Sequence, residues 1–272
     1  MAQILCSTGA LIGRPNHRDY HLIEKIKGQL KCDGFEFMMY STWYDEAERI
    51  ADYLIEQNIN IPVMHCEKHI GEAISKGTKE DIKEALELFK INCHMAEKIG
   101  AEKMVIHLWD GITSDANFVN NLKTYRELDL MAKEHHVDLL VENVVCNHDN
   151  PMKHWCELAK ENPDIHFIFD TKMAAFHNQE TLLYQEEYSW LWREKHIRHF
   201  HVNDYNGGYM EWDKLCSLPI GKGHIDFNLF FDFIRKIGYD STFTVEATAF
   251  NSEGMIDVEM LNGCFAKIRN YM

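Results

Sequence analysis

Residues 78–107 read TKEDIKEALELFKINCHMAEKIGAEKMVIH, and this stretch decides the fold. Thr78, with Asp81 three residues later, has the form of a helix N-cap. Ile82, Ala85, Leu86 and Phe89 recur at helical spacing, and Gly100 supplies the stop. Lys103-Met104-Val105-Ile106-His107 then has the length and composition of a buried strand. A helix followed at once by an apolar strand is one step of an alternating α/β repeat.

The same alternation extends in both directions. Upstream, strand-like runs occur at Gln3-Ile4-Leu5-Cys6, Gly34-Phe35-Glu36-Phe37-Met38-Met39 and Ile61-Pro62-Val63-Met64-His65. Downstream they occur at Asp138-Leu139-Leu140-Val141-Glu142 and Ile165-His166-Phe167-Ile168-Phe169-Asp170. The last two are Ile197-Arg198-His199-Phe200-His201 and Thr242-Phe243-Thr244-Val245-Glu246. Further helix starts are expected at Pro151 after Asn150 and near Phe227 behind Asp226, the latter helix running to Gly238. Eight strand–helix units in 272 residues give about 34 residues each, the size of a βα unit. Eight such units close into a (β/α)8 TIM barrel, expected here as a single domain over residues 1–272. An open doubly wound sheet would show a glycine-rich phosphate turn after its first strand. Thr8-Gly9-Ala10-Leu11-Ile12-Gly13 is only a loose approximation to one, and no helical pattern follows it directly. With 5 prolines and 15 glycines and no low-complexity tract, nothing marks a linker.

Composition narrows the partners. The net charge of −15 opposes binding to nucleic acid or an anionic membrane, so neither is expected. No apolar run reaches the roughly 18 residues of a spanning helix. The start, Met1-Ala2-Gln3-Ile4-Leu5-Cys6, lacks the pattern of a signal peptide. Eight scattered cysteines without a C-x-x-C pair fit reduced, buried thiols and a cytoplasmic protein.

Six of the eight strand runs end on or beside a residue that can bind metal or move a proton: His65, His107, Glu142, Asp170, His201 and Glu246. In a barrel, catalytic groups come from the C-terminal ends of the strands. Ionisable groups at the ends of apolar runs cost desolvation energy, and a common purpose explains them economically. Glu142, Asp170, His201 and Glu246 come from four successive strands. Three carboxylates and an imidazole make a hard, oxygen-rich shell suited to one divalent ion, Mn²⁺, Mg²⁺, Co²⁺ or Zn²⁺. Such an ion would reduce the formal shell charge from −3 to −1 and relieve the repulsion among the carboxylates.

The runs Val141-Glu142-Asn143, Phe169-Asp170-Thr171, His199-Phe200-His201-Val202-Asn203-Asp204, Pro219-Ile220-Gly221-Lys222-Gly223-His224-Ile225-Asp226 and Val245-Glu246 resemble the sugar phosphate isomerase/epimerase family. These are the xylose isomerase-like TIM barrels, a superfamily that includes endonuclease IV. The Gly34-Phe35-Glu36 segment and His107 fit the same pattern. The resemblance implies that Glu142, Asp170, His201 and Glu246 are the metal ligands and that Glu142 and Glu246 exchange protons with substrate. It also implies a small carbohydrate-like substrate: a sugar, a sugar phosphate or a keto-cyclitol. One position departs from the family, since Met173 stands where many relatives carry histidine, and His177 lies further on.

Around this set, His65 and His107 are candidate contacts to substrate hydroxyls, and Trp109 a candidate apolar face for a sugar ring. Lys222, between two glycines, could reach an anionic group of substrate. Arg14, in the first loop, is placed there by position alone, and the long stretch 203–218 has the length of a lid. The expected chemistry is isomerisation or epimerisation through an enediolate. The alternatives are an endonuclease IV-like metal-dependent phosphodiesterase, with His65 and His107 on a second metal, a lyase or dehydratase using the same enolate, and a barrel kept for binding alone. A homodimer is the expected assembly.

Overall fold

Eight parallel strands follow one another in chain order: β1 (Gln3–Ser7), β2 (Gly34–Met38), β3 (Val63–His65), β4 (Lys103–Ile106), β5 (Asp138–Glu142), β6 (His166–Asp170), β7 (Ile197–His201) and β8 (Thr242–Val245). They form a closed (β/α)8 barrel in the computed structural model, which describes residues 2–272. The helices are α1 (Leu22–Lys27), α2 (Ala47–Glu56), α3 (His69–Lys76), α4 (Lys79–Ile99), α5 (Phe118–Glu134), α6 (Pro151–Glu161), α7 (Thr171–Phe176), α8 (Trp190–Arg193), α9 (Phe227–Ile237) and α10 (Val258–Tyr271). Two compact units make up the chain, one of residues up to 36 together with 169–272, the other of residues 37–168.

In the unit of residues 37–168, Met104 of β4 lies opposite Met64 of β3 and Leu139 of β5, and Val141 opposite Phe167. The α4 helix begins and ends where the sequence pattern places its caps. Thr78 Oγ1 accepts the Asp81 N–H at 3.1 Å, and Gly100 adopts φ +77°, a left-handed conformation that glycine tolerates without cost. Asn150 caps α6 through the Lys153 N–H, with Pro151 at the first helical position. Trp155 of that helix stacks on Phe167 at 4.4 Å between centroids.

Behind β4, the segment before α5 is tied down by one carboxylate. Asp115 is buried and accepts the N–H groups of Asn147, His148 and Asp149 at 2.7–3.0 Å, together with His154 Nε2–H at 3.0 Å. Burial alone would raise its pKa, but the hydrogen bonds from His154 and the three amides outweigh that and lower it. A depressed carboxylate stabilises the fold above its ordinary value near 3.9, and that stability is lost as pH falls through the folded-state value. Asp115→Asn is therefore expected to cost about 3 kcal/mol at pH 7, because an amide presents its own donor to several donors. It is also expected to flatten the acid side of the stability curve. Urea denaturation from pH 3 to 7 checks both, and an unchanged curve would remove Asp115 as the anchor.

In the other unit, β1 pairs with both β2 and β8, and β7 pairs with β8, placing Ser7 opposite Glu36 and His201 opposite Thr244. Phe200 and Phe243 stack between these strands at 5.6 Å, and Phe230 and Phe231 of α9 pack against them. Each such ring contributes about 1.5–3 kcal/mol by leaving water. Asp226 caps α9 through the Leu229 N–H, and Gly238 ends it at φ +67°. The Gly-Lys-Gly stretch is folded around Asp204, whose carboxylate accepts the N–H groups of Tyr205, Gly221, Gly223 and Ile225. Only glycine fits at 223, where a Cβ would lie 2.1 Å from the Tyr205 carbonyl oxygen. Loop 203–218, read from its length as a lid, is pinned by an isolated bridge between Asp204 and Leu218 and by the Met210 N–H on the Phe176 carbonyl.

No disulfide joins the cysteines among the described residues, and Cys6, Cys66, Cys93, Cys146 and Cys264 are buried. Burial pushes the Cys6 and Cys66 thiols well above their ordinary pKa, as befits packing residues. No helix among the described residues is long and apolar enough to cross a membrane.

Candidate metal centre

In the unit holding β1, β7 and β8, three strand ends bring their donors face to face. His201 Nδ1 stands 3.7 Å from Asp170 Oδ2 and 3.5 Å from Glu246 Oε2. These separations are too long for strong hydrogen bonds. Two donors each about 2.1 Å from a shared divalent ion lie roughly 3–4 Å apart, depending on the angle they subtend. The donor set therefore fits a divalent ion.

The tautomer of His201 fits as well. Its Nε2–H donates to Glu36, at 2.9 Å to Oε1 and 3.1 Å to Oε2, which leaves the lone pair on Nδ1, the atom facing Asp170 and Glu246. Glu36 also accepts from His199 Nε2–H at 2.9 Å, while Thr242 Oγ1 lies 2.6 Å from His199 Nδ1. Burial would raise the Glu36 carboxyl. The electrostatic pull of His201 and hydrogen bonds from both imidazoles overcome this and hold it well below the ordinary carboxylate range. Glu36, His199 and His201 are themselves close enough to share an ion, but N···O distances of 2.9 Å are those of charge-assisted hydrogen bonds. Asn203 clamps the carboxylates from the other side. Its Nδ2 donates to Glu246 Oε2 at 3.3 Å and lies 3.5 Å from Asp170 Oδ2, and its Oδ1 accepts the Glu246 N–H at 2.8 Å.

The unit of residues 37–168 carries its own cluster. Glu142 ends β5 and is buried, and its Oε2 lies 2.9 Å from His107 Nε2 and 3.4 Å from His65 Nε2. His65 donates Nδ1–H to the Cys66 carbonyl, and His107 donates Nδ1–H to Asp110 at 2.6 Å. Burial alone would depress the pKa of His107, and Lys68 opposes its charge. Glu142, together with hydrogen bonds to Asp110 and Glu142, prevails and raises it. The Asp110 carboxyl, held by His107, is lowered to about 2. His65, His107 and Glu142 lie within reach of one ion.

A family model for the xylose isomerase-like TIM barrel matches residues 27–261. The chain belongs to that family. Among solved structures, the xylose isomerase-like barrel is similar to a D-tagatose 3-epimerase-like protein, with 17% identity and a TM-score of 0.71 over 99% of this chain and 96% of that one. It is similar to the D-allulose 3-epimerase of Methylomonas sp. in complex with D-allulose, with 14% identity and a TM-score of 0.73 over 100% and 97%. It also resembles the 3-keto-D-glucoside 4-epimerase of E. coli, with 13% identity and a TM-score of 0.68 over 99% and 100%. At these identities the likeness is one of fold. A search of curated protein sequences found no match.

Other positions singled out by sequence fall differently in this xylose isomerase-like barrel. Trp109 is 0% exposed, donates Nε1–H to the Val144 carbonyl and packs edge-on against Phe118 and His154. It is a core residue with no face left for a sugar, because β4 turns its first loop residues inward. Lys222 is exposed on the turn that encloses Asp204. The lysine brought to the ligand set is Lys172 instead, with Nζ 3.7 Å from Asp170 Oδ2. His177 follows α7 and packs against Phe176 and Tyr209. Arg14 lies in a short 3-10 turn and is exposed. Glu36, His199 and Asn203 received no role from the sequence, although an acidic residue inside an otherwise apolar, fully buried strand is a legible signal for Glu36.

Proposed function

We propose that this chain is a divalent-metal-dependent isomerase or epimerase of a small polyhydroxylated carbonyl compound, a sugar, sugar phosphate or keto-cyclitol. The observation that carries the reading is the convergence of His201 Nδ1, Asp170 and Glu246, with the His201 tautomer set by Glu36. Glu142 joins them as fourth ligand on the sequence pattern, as the terminal residue of β5. Mn²⁺, Mg²⁺, Co²⁺ or Zn²⁺ suits such donors, and when bound supplies a Lewis acid that acidifies the C–H beside a carbonyl. The epimerase activities named for structures of the same fold point in this direction.

Glu246, partly exposed, removes the proton, and Glu142 returns it to the neighbouring carbon or the opposite face. Asn203 orients Glu246, and His65 and His107 contact substrate hydroxyls. The substrate passes through a cis-enediolate, whose growing negative charge needs nearby cations and donors. The test is proton NMR in D₂O with ketoses, keto-cyclitols and their phosphates, with and without Mn²⁺. Metal-dependent deuterium incorporation next to the carbonyl is expected, and loss of a hydroxyl in the product would assign a dehydratase. No metal-dependent exchange across the panel would overturn the reading.

A metal-dependent phosphodiesterase is the second reading, favoured by the grouping of His65, His107 and Glu142 around one point. The net charge of −15 weighs against a polyanionic substrate. Hydrolysis of abasic-site DNA at low salt would reverse the order.

A further inference from the structure

Outside the strand ends, three side chains of the unit of residues 37–168 gather their donors at its surface. His94 and Glu97 lie three residues apart in the last two turns of α4, a spacing that puts both on one helix face. His135 follows α5 directly. Its Nδ1–H donates to Glu97 Oε2 at 2.7 Å, and the rings of His94 and His135 meet edge-on at 6.1 Å between centroids. One ligand atom from each of the three lies within 4.8 Å of the other two.

Local chemistry prepares the group for a cation. Glu48 Oε1 stands 2.9 Å from His94 Nε2, and Lys98 Nζ holds the other Glu48 oxygen at 2.7 Å. A carboxylate that takes the Nε2–H leaves the Nδ1 lone pair for a ligand bond, the relation that Glu36 has to His201. The hydrogen bond from His135 holds the Glu97 carboxyl below its ordinary pKa. Both helices end here, so their carbonyl-rich C-termini add negative potential. Burial locks Glu36, His199 and His201 into their hydrogen bonds, whereas His94 is 53% exposed and Glu97 42%. Exposed side chains exchange rotamers readily, so a metal can take the place of the proton between His135 and Glu97, the proton leaving to solvent.

We propose that His94, Glu97 and His135 form a metal site of their own, selective for Zn²⁺, that pins the end of α4 to the end of α5. Two imidazoles and one carboxylate are a zinc donor set, with water completing the tetrahedron. They disfavour Mg²⁺ and Ca²⁺, which prefer oxygen throughout. α4 and α5 end where the chain enters β4 and β5, at the end of the barrel opposite the strand C-termini. The role is therefore structural, and it does not depend on the reaction proposed above.

Zinc uptake by the full chain from a micromolar Zn²⁺ buffer containing excess Mg²⁺, measured by elemental analysis after dialysis, tests the site. His94→Ala and His135→Ala are each expected to bind one Zn²⁺ fewer per chain than the wild type. His148→Ala, at an exposed histidine outside the group, is expected to bind as many. Zinc is also expected to raise the thermal midpoint of the wild type above that of His94→Ala, the two being equal in chelator. Should His135→Ala fail to fold, Glu97→Gln takes its place. Equal uptake by the wild type and the site variants, an equal loss in His148→Ala, or a zinc-dependent midpoint that His94→Ala shares in full would overturn the proposal.

Discussion

Glu246→Gln is expected to lower solvent deuterium exchange into substrate by about 1,000-fold at saturating Mn²⁺, within the range typical of a lost general base. Glutamine keeps the size of the side chain, and the backbone N–H of residue 246 keeps its bond to Asn203 Oδ1. The substitution removes only the capacity to hold a proton and one unit of negative charge. Measuring Mn²⁺ affinity in the same variant separates the two roles, because metal lost by a missing ligand is recovered by adding metal and a missing base is not. Circular dichroism should be unchanged, since Glu246 is partly exposed and lies just beyond β8. Full exchange in this variant would remove Glu246 from the mechanism.

Glu36→Gln is expected to weaken divalent-metal affinity by about 10- to 100-fold, although Glu36 is assigned no bond to the ion. Its carboxylate accepts from two imidazole N–H groups at once. An amide offers one acceptor and one donor, so one imidazole must face an N–H. If that ring is His201, it flips or changes tautomer, and Nδ1 no longer presents its lone pair to the site. If it is His199, the change is absorbed beside Thr242 and Thr244 and shows mainly as lost stability. The two outcomes are distinguished by pairing a Co²⁺ titration with thermal denaturation. Unaltered metal affinity in a folded variant would show that Glu36 does not set the orientation of His201.

Much of the barrel is legible in the sequence because parallel strands buried on both sides must be apolar along their length. The Thr78 and Gly100 caps, Pro151 at its helix start and the Asp226 cap all lie where local chemistry alone puts them. Strand edges move by a residue or two, as at Ile61 and Pro62, which precede β3 because proline offers no N–H to the ladder. The carboxylates and imidazoles at strand ends are legible for the same reason, as polar residues that interrupt apolar runs. What surrounds them is not. Trp109 reads equally well as a sugar platform or a core residue, and only its bond to Val144 decides. Lys172 carries no signal of its own in the sequence, and only the fold sets it beside Asp170 and Ser217, which lies 45 residues along the chain. Contacts across such separations leave no periodic trace.

The proposed chemistry requires one divalent ion bound through His201 Nδ1. The most direct measurement is an anomalous difference map from a crystal soaked in Mn²⁺. One strong peak is expected about 2.2 Å from His201 Nδ1 and from carboxylate oxygens of Asp170 and Glu246. A map with no peak there, or with manganese only between His65 and His107, would contradict it.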